Sequence, residues 1–200
     1  MTSPGKVPIA VFVSGIGSNL QALMQAESRI DGWPARIALV VSDKPDCPAV
    51  AKAKAAGLPV CARLPRDFTD KSAFEQAILT KLYQYNVEWL FLAGYMRLLG
   101  STLLDAYRGK IVNIHPSLLP AFPGKHAIAE AVAAGVKETG VTVHFVDEGI
   151  DTGDIIAQQK VAIEPGMTEE DMLKRVHEAE HELYPRVVRQ LLRVNDTSVN

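Results

Sequence analysis

Short β-branched runs alternate along this chain with segments of helical period, and that alternation restricts the fold more than any single residue does. Val7 to Val13 (VPIAVFV) reads as a first buried strand and Ile37 to Val41 (IALVV) as a second, with Val60 to Leu64, Val87 to Leu92 and Ile111 to His115 as three more. Between them, Asn19 to Ser28 carries Leu20, Leu23 and Met24 at helical spacing, and Ala49 to Ala56 is stopped by Gly57. Asp70 is placed to cap a helix through Tyr85, and Ser101 to Tyr107 makes a short one. A strand followed by a helix and another strand predicts parallel pairing, because parallel neighbours need a long crossover and the helix supplies it.

The pattern changes at Pro116. Prolines at 116, 120 and 123 exclude regular helix or central strand over that stretch. Beyond it Ala127 to Ala134 reads as helix, and Val141 to Val146 alternates as a strand that pairs in a hairpin with Ile155 to Ile163. Thr168 caps a helix rich in Glu, Lys and Arg that reaches Val194, with Pro185 marking a kink or a restart, and from about Asn195 the chain reads as a frayed tail. The predicted class is α/β. One Rossmann-like domain spans 1–200, its core at about 7–194 between short disordered ends, with a mostly parallel twisted sheet, helices on both faces and an antiparallel C-terminal hairpin.

Charge and cysteine content narrow the partners. Lys and Arg number 21 against 23 Asp and Glu, a formal net charge of −2, so the chain has no long-range attraction for nucleic acid. Cys47 and Cys61 form no Cys-x-x-Cys pair and no metal-ligand spacing, which predicts buried thiols and no metal. No stretch reaches the roughly 18 apolar residues of a membrane span, and the first residues lack a secretory pattern, which predicts a cytoplasmic protein.

Ser14-Gly15-Ile16-Gly17-Ser18-Asn19 lies between the first strand and the first helix, where backbone N–H groups and the helix dipole favour an anion. The dinucleotide fingerprint needs a third glycine where Leu20 stands, and the Lys-Ser/Thr ending of a Walker loop is absent. A monophosphate held by the backbone, with Ser18 and Asn19 adding side-chain donors, fits the turn. A tight strand-to-helix turn capped by Ser18 or Asn19 fits it equally well.

Asn113 and His115 stand two apart at the end of a strand, so their side chains share one face, and Pro116 keeps His115 extended. The carboxyl ends of parallel strands are where open α/β sheets bind ligands. The pair is either a site or hydrogen-bonded polar closure of the strand. Asp147, Asp151 and Asp154 crowd the turn between the last two strands, and a carboxylate there would favour a protonated His115, but spacing does not choose among the three. His126, His144, His177 and His181 read as surface or core groups.

Four ordered segments together resemble the folate-dependent glycinamide ribonucleotide formyltransferases: Ser14 to Asn19, Leu92-Ala-Gly-Tyr-Met-Arg-Leu-Leu99, Asn113-Ile-His-Pro-Ser-Leu-Leu-Pro120, and Gly140 to Gly153. The resemblance implies transfer of formyl from 10-formyltetrahydrofolate to the amine of glycinamide ribonucleotide, with Asn113, His115 and Asp151 as the catalytic set and no metal. It implies that Gly17, Ser18 and Asn19 bind the nucleotide phosphate and that Glu180 contacts the ribose. Met96, Arg97, Leu98 and Leu99 would line the folate pocket together with Asn113, the backbone reading the pterin edge. Lys71 aligns with a basic folate-contacting position, where lysine offers a point charge instead of a bidentate fork. A monomer or homodimer without nucleic-acid or membrane partners is expected.

Three other readings compete. A formyltetrahydrofolate deformylase would carry an N-terminal regulatory domain, whereas the first strand here begins about seven residues into the chain. Methionyl-tRNA formyltransferase needs a further C-terminal domain, for which 200 residues leave no room. A silent phosphosugar-binding module would not need Asn113, His115 and Asp151 together.

Overall fold

The computed structural model describes residues 5–164 and 166–194; the ends expected to fray, 1–4 and 195–200, lie outside the described residues. Its centre is β1 (Val7–Val13), where Ile9 to Val13 are all fully buried. Burial on both sides explains the unbroken apolar run, since a parallel strand covered by helices has no solvent face. Alternate residues then serve two cores. Ile9, Val11 and Val13 pack with α1 (Ser18–Arg29), α2 (Pro48–Ala55) and α6 (Glu169–Val194), whereas Ala10 and Phe12 pack with α3 (Lys71–Gln84) and α4 (Ser101–Ala106). Helices thus cover both faces, as the alternation predicted.

The remaining strands are β2 (Ala35–Ser42), β3 (Val60–Ala62), β4 (Trp89–Leu92), β5 (Ile111–His115), β6 (Glu138–Phe145) and β7 (Ile155–Ala162), and α5 (Ala127–Ala133) precedes β6. They form one sheet in the order β3-β2-β1-β4-β5-β6-β7, parallel through β5 and antiparallel for β5–β6 and β6–β7. The chain leaves β1 toward β2 and β3, then returns to place β4 on the other side of β1. That reversal makes the carboxyl ends of β1 and β4 a topological switch point, the usual binding crevice of such sheets.

The local signals act as read. Asp70 accepts the Ala73 N–H at 2.8 Å and starts α3. Thr168 exchanges bonds with Asp171 in a reciprocal capping box, its Oγ1 accepting the Asp171 N–H at 3.1 Å while Asp171 accepts the Thr168 N–H at 3.2 Å. Pro185 does not restart the helix, because α6 runs unbroken through it. The proline removes the bond that the His181 carbonyl would accept, while Leu183, Tyr184, Val187 and Val188 on either side of it pack in the core. A 3-10 turn at Pro65–Asp67 had no forerunner in the sequence reading. Among the described residues no helix is long and apolar enough to cross a membrane.

Candidate active site

The turn after β1 is built around Gly17, which takes φ 75° as the residue before α1. A Cβ there would lie 2.6 Å from the Ala49 Cβ, so both the left-handed backbone and the approach of α2 demand glycine. No side chain caps α1, contrary to the expectation that Ser18 or Asn19 would do so, and its first N–H groups keep their donor capacity for an incoming anion. Asn19 is buried, and its Nδ2 donates to Glu180 Oε2 at 2.9 Å. That bond joins the turn to α6. Burial pushes the Glu180 carboxyl up to about 7 against the opposing effect of the Asn19 bond.

Past β4, Met96, Arg97 and Leu98 are exposed and Leu99 half-buried on an irregular stretch. Arg97 lays its guanidinium 5.7 Å from the centre of the Phe74 ring, a cation–π distance. Lys71 is exposed at the start of α3 and packs its Cε beside Gly100. The segment thus follows β4 as the glycine turn follows β1, on the two sides of the switch point.

Asn113 and His115 do share a face of β5, and of the three candidate aspartates Asp151 reaches them. His115 Nδ1 lies 3.4 Å from Asp151 Oδ2, and Asn113 Nδ2 lies 3.5 Å from Oδ1. Asp147 instead serves its own turn, accepting from the Gly149 N–H and the Thr152 hydroxyl at 3.0 and 2.7 Å. Asp151 takes φ 55° and receives the Gly124 N–H on Oδ2 at 2.8 Å. Burial works against its ionisation, yet hydrogen bonding from the His144 side and from Gly124, with the two imidazoles alongside, holds its carboxyl below the ordinary 3.8. Asp151 is therefore ionised throughout the neutral range.

The sequence reading missed His144, taken as a surface or core group. β5 and β6 place it directly opposite Asn113, with Nε2 3.2 Å from the Asn113 amide nitrogen and 3.5 Å from Asp151 Oδ1. Its Nδ1–H is committed to the Phe145 carbonyl at 2.7 Å. Nε2 then accepts from Asn113 when the ring is neutral and donates to Asp151 when it is protonated. The available signal was alternation in Val141 to Val146, which puts Thr142 and His144 on one face. His115 is occupied at both nitrogens, because Nε2 donates to the Phe122 carbonyl at 2.8 Å.

A cavity of about 620 Å³ opens between α1 and α6, with Ser18 at its rim beside Arg29, His181, Arg186 and Arg189. None of Asn113, His115 or Asp151 lines it, so volume alone does not find the cluster. Among the described residues no group of His, Cys, Asp and Glu is arranged to hold a metal ion.

Comparison with known proteins gives a consistent result. The formyl transferase family model matches residues 7–188. The chain is 51% identical over 187 residues to phosphoribosylglycinamide formyltransferase of Bacillus subtilis (strain 168), covering 94% of this chain and 95% of that protein. It is 42% identical over 200 residues to the trifunctional purine biosynthetic protein adenosine-3 of Drosophila melanogaster, of whose length it spans 15%. The crystal structure of glycinamide ribonucleotide transformylase 1 from Geobacillus kaustophilus superposes with a TM-score of 0.91 at 54% identity, covering 94% of this chain and all of that one. That of phosphoribosylglycinamide formyltransferase from Bacillus halodurans gives 0.91 at 45% identity, over 96% of this chain and all of that one.

Proposed function

The chain belongs to the formyl transferase family, and from that membership we propose that it moves formyl from 10-formyltetrahydrofolate to the amine of N1-(5-phospho-D-ribosyl)glycinamide. The products are the N2-formyl nucleotide and tetrahydrofolate, a step of purine biosynthesis. The observation that carries this reading is the convergence of Asn113, His115 and Asp151 at the carboxyl end of β5, the same end of the parallel strands at which the glycine turn opens after β1.

The amine nitrogen attacks the formyl carbon, the bond from that carbon to the folate nitrogen breaks, and the amine proton ends on the departing nitrogen. Charge builds on the formyl oxygen between these events. Asn113 donates to that oxygen, and His144 orients its amide by accepting the other N–H. His115 supplies a second donor. Its Nε2–H leaves the Phe122 carbonyl to do so, and the 116–124 loop gives way as the donor enters. Asp151, ionised beside both imidazoles, relays the proton through water. Gly17, Ser18 and Asn19 hold the phosphate by backbone N–H groups, the Asn19 side chain fixes Glu180 against the ribose, and Met96 to Leu99, with Lys71 at the rim, line the folate pocket.

A deformylase would use water where this site uses the nucleotide amine. The two separate by incubating the protein and 10-formyl folate with glycinamide ribonucleotide or with no acceptor. Formyl loss that depends on the nucleotide and yields formylated product is expected. Equal loss without the nucleotide would overturn the transferase reading.

A further inference from the structure

Met96 to Leu99 belongs to no helix or strand, and Met96 and Leu98 are 47% and 59% exposed, yet the segment is pinned at both ends by side chains from distant parts of the chain. At its start the Met96 N–H donates to Ser14 Oγ at 2.9 Å, and the Ser14 hydroxyl donates in turn to Asp43, just beyond β2. The Ser14 N–H also holds the Gly94 carbonyl at 3.2 Å. At its end the Gly100 N–H donates to Glu75 Oε1 at 2.6 Å. Glu75 on α3 is 2% exposed, and its Oε2 is buried with no partner among the described residues. A Cβ on Gly100 would stand 2.9 Å from that oxygen and 3.0 Å from the Lys71 Cε, so glycine is what lets the carboxylate come this close.

Burying a carboxylate with one oxygen unsatisfied costs stability, and a segment that merely joined β4 to α4 could give its N–H groups to water. The cost is explained if the backbone between the two anchors must keep a fixed spacing. We propose that Glu75 and the Ser14–Asp43 pair are positioning residues for the formyl donor, holding the 96–99 backbone in register with the edge of a fused heteroaromatic ring that they do not touch. This rests on assigning the folate pocket to Met96 to Leu99.

The test compares Glu75→Ala, Glu75→Gln and Gly100→Ala with Leu98→Ala, a direct change to the pocket wall, measuring kcat and KM for 10-formyl folate and for the nucleotide. Glu75→Ala and Gly100→Ala should each raise the donor KM about tenfold, the factor for one lost hydrogen bond, leaving kcat and the nucleotide KM unchanged. Glu75→Gln, whose amide oxygen still accepts from Gly100, should restore the donor KM. If Leu98→Ala raises the donor KM while Glu75→Ala and Gly100→Ala do not, the carboxylate is structural and the proposal fails. If Leu98→Ala has no effect, the pocket assignment fails and takes the proposal with it. Should Glu75→Ala not fold, Gly100→Ala decides by the same criterion.

Discussion

Glu180 offers the sharpest test, because its two roles make opposite demands on pH. Its carboxyl is pushed by burial from an ordinary 4.5 to about 7, so near neutrality the folded protein holds a proton that the unfolded chain has released. A folded-state value above the unfolded one gives a contribution fully present below about pH 4.5 and lost as pH rises through about 7. The separation is worth about 3 kcal/mol at about 1.36 kcal/mol per pH unit. Glu180→Gln removes the titration and leaves an oxygen to accept from Asn19. The variant should match the wild type near pH 4.5 and exceed it by about 3 kcal/mol at pH 8, a gain of about 6–12 °C in Tm for a chain of this length. Ribose hydroxyls donate better to a carboxylate than to its acid, so nucleotide affinity should rise more steeply between pH 6 and 8 in the wild type than in the variant, where only the phosphate's own ionisation remains. Thermal denaturation and titration calorimetry across that range read both effects. A stability difference that does not change with pH would refute the reasoning.

Turnover should nearly vanish in His115→Ala and Asp151→Asn while the nucleotide still binds, since the phosphate turn follows a different strand; single-turnover formyl transfer and calorimetry check the two halves. Asn113→Ala should lower kcat about 100-fold, the loss of one oxyanion donor, with the fold intact by circular dichroism. Gly17→Ala combines a left-handed backbone with a Cβ 2.6 Å from that of Ala49, and should cost about 2–4 kcal/mol in chemical denaturation together with nucleotide affinity. Tyr184 is fully buried and its hydroxyl lies 2.8 Å from the Leu92 carbonyl and 3.1 Å from that of Val112, so Tyr184→Phe should cost about 1–3 kcal/mol in the same assay.

The parts legible in the sequence are those that short-range chemistry decides. The apolar run of β1, the Asp70 cap and the Thr168 capping box each depend on residues within a few positions. Asn113 and His115 were legible for the same reason, since a strand's period of two puts them together whatever surrounds it. His144 was not, because its partner is chosen by the antiparallel register of β5 with β6, a tertiary fact. Asp151 could not be told from Asp147 and Asp154, as all three suit a polar turn. What separates them is the backbone: φ 55° at Asp151 and the nearby Gly124 N–H turn one carboxylate inward, while Asp147 closes the turn itself. At Pro185 the restart is excluded because Leu183, Tyr184, Val187 and Val188 pack in the core on both sides of it, a contact that propensity does not register.

The near-neutral charge takes on a sharper meaning beside this geometry. Apart from Lys71 and Arg97 on the folate side, the ionisable side chains proposed to meet the nucleotide and the formyl group are two carboxylates and an imidazole, Glu180, Asp151 and His115. Neither carboxylate attracts a phosphate. The uncapped first turn of α1 offers the anion N–H groups that carry partial charge, and Arg29, Arg186 and Arg189 line the cavity that Ser18 shares. Burial raises the Glu180 carboxyl to about 7 with only the Asn19 bond opposing it. Backbone donors proposed for the phosphate and a buried carboxylic acid proposed for the ribose are thus joined through Asn19, whose amide reaches Glu180 from the first turn of α1.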